Sequence, residues 1–342
     1  MLGTARAAHA DDWTSVGLNA THARATTERS GGRFTGQRWS QPFAGNAYGI
    51  SSPATADGIV VVGGHDGFIH AVAASDGHAL WVFRTGDSVE ASPAILNGLA
   101  FVPSQDGKLY ALHLADGQLA WQHDLGGLEQ SSPIVVHDRL GDGVVVAHGF
   151  PGRTLVRFDA ISGDVIWETT PDIMAQFSNS SAASDGTYLV IGANEGHYYG
   201  FDLATGTRLW TFEADGMVNL AAPVIAQGRV FLFPGGESNK LHALDIATGK
   251  AIEGWPVEVP EPAPSSTSKH LFRHYSVSSL SALPGKLIFD LRFDDSADAD
   301  GDTLADRFLM TETVVALSTI DGHRLWQVAN GKGDVASFND MP

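Results

Sequence analysis

The chain has 342 residues, of which 43% are apolar and 18% charged, a globular balance rather than a disordered one. Its 21 basic and 39 acidic residues leave a formal charge of −18, which repels phosphate backbones and disfavours nucleic acid as a partner; proteins, cations and neutral small molecules remain. The absence of cysteine excludes disulfides, thiolate metal sites, CxxCH haem attachment and a cysteine nucleophile, and no apolar run reaches the 18 residues that a membrane helix needs.

At the N-terminus, Ala8-His9-Ala10 before Asp11-Asp12-Trp13 has the form of a signal-peptidase site, without the apolar segment that should precede it. It is read either as the remnant of an export signal over residues 1–10 or as a chance tripeptide. From there on the chain is repetitive, and the repeat decides the fold class. Beginning at Ala71, Ala111, Arg157, Gly200 and Ala316, a glycine follows after six residues (Gly77, Gly117, Gly163, Gly206, Gly322) and a tryptophan after ten (Trp81, Trp121, Trp167, Trp210, Trp326). A further copy from Ala243 keeps Gly249 but carries its tryptophan two places late, at Trp255. Trp39, in the stretch Thr35-Gly36-Gln37-Arg38-Trp39, has the form of another copy's tail.

The successive tryptophan spacings are 42, 40, 46, 43, 45 and 71 residues, the last enlarged by an insertion. Each unit is led by small residues, as in Ser51-Ser52-Pro53-Ala54, Ala91-Ser92-Pro93-Ala94 and Ser131-Ser132-Pro133-Ile134. These suit crowded inner strands, with the proline at a strand end because it has no N–H to donate. Turn pairs such as Asp57-Gly58, Asp66-Gly67 and Asp76-Gly77 separate short apolar runs and permit the positive φ of hairpins. Three turns join four strands in about 40 residues, which is one propeller blade. No long stretch has a 3.6-residue apolar period, so helices should be scarce. The tryptophans and glycines are read as structural, with the indole packing across to the next blade.

The frame Ala-x-Asp-x-x-Thr-Gly-x-x-x-Trp resembles the PQQ-like (quinoprotein-type) repeat, best matched by Gly200, Asp202, Thr205, Gly206 and Trp210, and by Ala243, Asp245, Thr248 and Gly249. The arm Asp12-Trp13 through Gly17, Asn19 and Arg24 is similar to the opening of such domains. The resemblance covers about residues 11–340 and implies an all-β propeller of four-stranded antiparallel blades. The expectation is seven blades if the N- and C-terminal pieces share one, with eight as the alternative. A single domain should then span 11–342, with an acidic insertion at about 290–311. The family includes quinoprotein alcohol dehydrogenases and the BamB-type outer-membrane assembly factor, so one blade type serves enzymes and scaffolds.

The dehydrogenase side of the resemblance implies PQQ over the axis with calcium, stacked against a tryptophan and an adjacent-cysteine disulfide, and an aspartate as base. Without cysteine that disulfide cannot form, the register tryptophans are assigned to packing, and the family's ligands have no match here; PQQ is not expected. Calcium is the expected cofactor instead. Asp298, Asp300, Asp302 and Asp306 stand at positions 1, 3, 5 and 9, the spacing of hard oxygen ligands in calcium loops, with Asp294 and Asp295 nearby. Position 6 is Thr303 rather than glycine and position 12 is Leu309 rather than glutamate; the competing reading is a solvated acidic hairpin tip. The 14 histidines, His70 and His242 among them, form no HxxxH or HExxH pattern and are read as exposed or hydrogen-bonded loop and strand residues.

The expected function is a non-catalytic scaffold, exported to the periplasm or cell exterior, binding proteins through loop residues such as Asn46, Tyr48, Glu90, Gln130, Gln176 and Asn219. The alternative is a PQQ-dependent alcohol dehydrogenase-like quinoprotein or a degenerate relative. Titration calorimetry tests the acidic loop: calcium binding heat in the parent chain, lost in Asp300→Ala, is expected, and no heat in the parent ends the calcium reading.

Overall fold

The computed structural model describes residues 39–42, 51–127, 131–148, 154–170, 181–194, 196–216, 222–236, 238–259, 269–298 and 307–334. Every described element is a strand, grouped into six four-stranded antiparallel sheets; none is a helix. Blade 1 comprises β1 (Ala54–Ala56), β2 (Ile59–Gly63), β3 (Phe68–Ala73) and β4 (Ala79–Arg84). Blade 2 comprises β5 (Ala94–Leu96), β6 (Leu99–Pro103), β7 (Lys108–His113) and β8 (Leu119–Asp124). Blade 3 follows with β9 (Ile134–Asp138), β10 (Gly141–His148), β11 (Thr154–Asp159) and β12 (Val165–Thr169). Blade 4 contains β13 (Ala183–Ser184), β14 (Tyr188–Ala193), β15 (His197–Asp202) and β16 (Arg208–Glu213). Blade 5 contains β17 (Val224–Ala226), β18 (Arg229–Leu232), β19 (Lys240–Asp245) and β20 (Val257–Glu258). Blade 6 contains β21 (Lys269–Leu283), β22 (Lys286–Asp298), β23 (Arg307–Ser318) and β24 (Arg324–Asp334).

Each sheet is a meander whose strands pair in chain order, with the first strand innermost. The prolines fall where their missing donor costs nothing: Pro53, Pro93, Pro133 and Pro223 each stand one residue before an inner strand. Inner strands adjoin from β1 to β5 to β9 and from β13 to β17 to β21. The small leading residues link them, since the Ser52 N–H donates to Ser92 Oγ at 2.7 Å and the Ser92 N–H to Ser132 Oγ at 2.9 Å. This is a β-propeller, with its core between sheets rather than within one.

The contact between blades repeats in detail. Trp39, Trp81, Trp121, Trp167 and Trp210 lie against Gly77, Gly117, Gly163, Gly206 and Gly249 of the next blade, so closely that a Cβ on any of these glycines would stand 2.6–2.7 Å from the ring. Each indole N–H donates to the carbonyl three residues before that glycine (Ala74, Leu114, Ala160, Leu203 and Ile246) at 2.8–3.2 Å. The turn aims the carbonyl because the glycine adopts positive φ, +67° at Gly206, where an L side chain is strained. One residue thus supplies both the apolar contact and the donor.

The interface between blades 5 and 6 divides these two tasks. Trp255, two places late in the frame, turns into the core against Phe231, with ring centroids 5.5 Å apart. Gly322 meets Val257 instead, whose Cγ1 would be 2.3 Å from an added Cβ. The carbonyl three residues before Gly322, that of Thr319, accepts from Arg229 Nη1 at 2.5 Å, and Ile320 O accepts from the same nitrogen at 3.0 Å. Valine fills the space and arginine satisfies the carbonyl.

Two substitutions test this division. Gly206→Ala should lower unfolding stability by about 2–4 kcal/mol, from left-handed backbone strain plus overpacking against Trp167. Arg229→Met, which keeps the aliphatic stem, should cost about 1–3 kcal/mol by leaving the Thr319 carbonyl without its donor. Denaturant midpoints at constant m-value measure both.

Candidate binding face

The topology sorts the connections onto two faces. Turns between the first and second strands, and between the third and fourth, lie on one face. There the N–H groups of Ala74, Leu114 and Leu203 donate to the carbonyls of Gly58, Gly98 and Thr187 at 2.8–2.9 Å. Turns between the second and third strands share the other face with the crossovers that carry the chain from an outer strand to the next inner strand. On this crossover face the N–H groups of Thr85, Leu125 and Ala214 donate to the carbonyls of Gly67, Gly107 and Gly196 at 2.7–2.9 Å, tying each crossover to its own hairpin.

Several described titratable side chains of the crossover face join this lacing. In blade 1, Asp66 Oδ2 meets His70 Nε2 at 3.0 Å, and Glu90 of the following crossover lies 4.0 Å from His65. In blade 2, Asp106 Oδ2 accepts from Tyr110 Oη at 2.5 Å and from the Gly86 N–H of blade 1 at 2.7 Å. Burial and the neighbouring Asp106 carboxylate push the Tyr110 phenol up. Between blades 4 and 5, Asp215 Oδ1 accepts from Ser238 Oγ at 3.0 Å and meets His242 Nε2 at 3.1 Å, while Lys240 Nζ lies 2.7 Å from its Oδ2. Burial opposes ionisation of Asp215, but Lys240, His242 and Ser238 outweigh it and hold the carboxyl at about 2. Burial pushes His242 down despite that carboxylate.

Ser238, His242 and Asp215 are the residue types of a nucleophilic triad in the wrong order. The aspartate is central and bonds both partners, so the histidine cannot take the serine's proton. His70 and His242 are not surface residues: the side chain of His70 is 14% exposed and that of His242 9%, each held by an aspartate. Sequence could have paired Asp66 with His70, four residues apart across a tight hairpin. Asp215 and His242, 27 residues apart on different blades, meet only in the fold.

Of the expected calcium ligands, Asp298 ends β22 with its side chain outside the described residues, and Asp300, Asp302 and Asp306 also lie outside them. Asn46, Tyr48, Gln130, Gln176 and Asn219 are likewise outside, and Glu90 alone of the expected rim residues is described. Among the described residues, no group of three or more His, Asp or Glu is placed to hold a metal. The described residues do not fit a quinone with calcium. Trp81, Trp121, Trp167 and Trp210 are docked on glycines, and Asp66, Asp106 and Asp215 are bonded to the lacing of the face.

Blade 6 departs from the repeat. Its strands have 15, 13, 12 and 11 residues, against two to eight in the other blades. The surplus extends toward the β22–β23 hairpin and therefore rises from the crossover face. From Leu291 to Asp298 it spans about 24 Å at the usual strand rise. Much of the expected acidic insertion is therefore pleated sheet. In its register Lys269 stands opposite Asp298, Arg273 opposite Asp295, His274 opposite Asp294 and Arg292 opposite Glu312.

Residues 20–172 match the family model described as Outer membrane protein assembly factor BamB. The repeat is of the PQQ-like type. This PQQ-like propeller is similar to the quinohemoprotein alcohol dehydrogenase of Comamonas testosteroni (TM-score 0.70, 14% identity, 94% of this chain and 67% of that one). A quinohemoprotein alcohol dehydrogenase of Pseudomonas putida HK5 gives a TM-score of 0.68 at 14% identity, over 94% and 66% of the two chains. BamB of Moraxella catarrhalis gives 0.54 at 16% identity, over 83% and 89%. The chain thus spans about two thirds of the length of the dehydrogenases, and at these identities the likeness is one of fold. Comparison with curated protein sequences gave no match.

On the opposite face, the PQQ-like frame places Arg157 where other blades have alanine or glycine. Its side chain is fully buried and grips Asp138, itself 4% exposed, through two bonds of 2.7 Å, and it shares the Leu203 carbonyl with Trp167. Bonding from Arg157 holds the Asp138 carboxyl below the ordinary 3.8, against the opposing effect of burial. A lowered carboxyl contributes stability that is fully present above the unfolded value and is lost as pH falls through the folded one. Asp138→Ala should cost about 3–5 kcal/mol at pH 7, because it leaves a buried guanidinium unpaired. The gap between parent and variant should shrink in denaturant titrations as pH drops below about 4.

Proposed function

We propose that this propeller is a non-catalytic binding scaffold, exported to the periplasm or cell exterior, that holds a protein partner in envelope protein assembly. The observation that carries the reading is the blade 6 extension, a four-stranded wall standing beside the crossover face. A raised sheet beside the crossover face offers a partner a second surface. The match of residues 20–172 to the BamB assembly-factor model supports the same reading, as does the net charge of −18, which favours a basic or polar protein surface over nucleic acid. No described helix is long and apolar enough to cross a membrane.

The extension can be shortened without touching the ring. Phe293 pairs with Thr311, so replacing residues 294–310 by Asn-Gly closes the hairpin with a two-residue turn. Capture from an envelope fraction should yield a defined partner with the parent chain and lose it with the shortened one, at unchanged melting temperature. Equal capture by both chains would remove the extension from the site. Alcohol-dependent dye reduction on adding PQQ and calcium would replace the scaffold reading with an enzymatic one.

A further inference from the structure

In three of the contacts between blades, the residue two places after the docking indole is an aromatic that meets a ring of the next blade. Phe83 follows Trp81 and meets Tyr110, with ring centroids 5.4 Å apart and planes at 60°. His123 follows Trp121 and meets Phe158 at 4.8 Å. Phe212 follows Trp210 and meets His242 at 5.2 Å and 65°. The contact onto blade 1 lacks this ring. Trp39 docks on Gly77 as the other indoles dock on theirs, but the residue two places later is Gln41. The frame position of Tyr110 and His242, one before the alanine, is held by His70. A cavity of about 180 Å³ lies there, with Gln41, Pro42, His70, Val72, Trp81 and Val82 in its lining. It is open to solvent, since Val82 on its wall is 54% exposed.

We propose that this cavity binds a free, neutral, single-ring aromatic molecule of the phenol class. A cavity of about 150 Å³ is enough to hold one benzene ring, so the space takes one ring and a small substituent. The ring stands where Phe83 and Phe212 stand in their contacts, edge to face with His70 and between Val72, Val82 and Pro42. The imidazole is held for this by Asp66, whose Oδ2 meets its Nε2 at 3.0 Å. At the mouth, the carboxamide of Gln41 can both donate to and accept from a hydroxyl on the ring. The Asp66 carboxylate beside His70 and the net charge of −18 disfavour an anionic ring such as benzoate. The site shares no residue with the blade 6 extension and does not depend on the scaffold reading.

Titration of the intact chain with phenol tests this, read by NMR of labelled valine methyl groups. Val72→Ile and Val82→Ile assign the two reporting signals. Both should shift saturably in the parent, while Val230, buried between blades 4 and 5, stays unmoved. Cyclohexanol, which offers a hydroxyl on a puckered ring without a π face, should bind more weakly than phenol. Gln41→Phe supplies the ring that the other contacts carry, and it should abolish the Val72 shift without lowering the melting temperature. If that variant does not fold, Val82→Trp fills the same cavity from the opposite wall, with the same loss expected. No saturable shift in the parent overturns the proposal. Equal binding of cyclohexanol also overturns it, by showing a crevice without preference for an aromatic ring. So does phenol binding that survives in a folded filled variant, which places the site elsewhere.

Discussion

The propeller rests on one contact, an outer-strand indole laid on the turn glycine of the next blade. A blade of short strands cannot bury its faces alone, and its turn leaves a carbonyl that packing would cut off from water. The tryptophan answers both needs. Its ring removes about 150–250 Å² from water, which at about 25 cal/mol per Å² amounts to about 4–6 kcal/mol before ordering costs. The hydrogen bond adds only about 1 kcal/mol net. Burial therefore supplies the attraction, and the bond sets where the ring comes to rest. Five successive interfaces use the same two atoms of recognition, the indole nitrogen and the carbonyl three residues before glycine.

Departures from the contact show what it requires. At the interface of blades 5 and 6 the tryptophan is displaced, and both of its tasks persist in other hands, with Val257 against Gly322 and Arg229 on Thr319 O. In blade 3 the small frame residue is Arg157, and its charge is accommodated only because Asp138 is brought to it bidentately from a hairpin. The same economy governs the crossover face, where Asp106 joins blade 2 to blade 1 and Asp215 joins blade 4 to blade 5. Polar residues that resemble catalytic parts in the sequence are the fasteners between blades.

Local features of the fold were legible in the sequence, because hairpin turns, strand-heading prolines and the Gly-to-Trp interval are encoded within about ten residues of one another. The six meanders follow from them. Features that depend on pairing across the ring were not. Arg229 and Thr319 are separated by 90 positions, and nothing near either announces the bond. Residues at about 290–311 read as an acidic insertion because the carboxylates are contiguous, whereas the strand positions opposite them, Lys269, Arg273 and His274, precede them by 20 residues or more and become opposite only once the register is known. Whether His70 and His242 are exposed or hydrogen-bonded stays open in the sequence for a similar reason, since an alternating strand does not disclose which neighbour covers it; both are hydrogen-bonded. The residues expected to bind calcium lie mostly outside the described chain, so the candidate face is defined by blade 6 rather than by them.

A double-mutant cycle between Trp167 and Gly206 tests the central contact most directly. If the ring occupies the space a Cβ would need, Gly206→Ala should be less costly in a Trp167→Ala background than in the parent. Only the backbone strain should then remain, a coupling of about 1–3 kcal/mol between residues in contact. Equal costs in the two backgrounds, measured by denaturant unfolding, would contradict the account, because the glycine would then be required by its turn alone and not by the neighbouring blade.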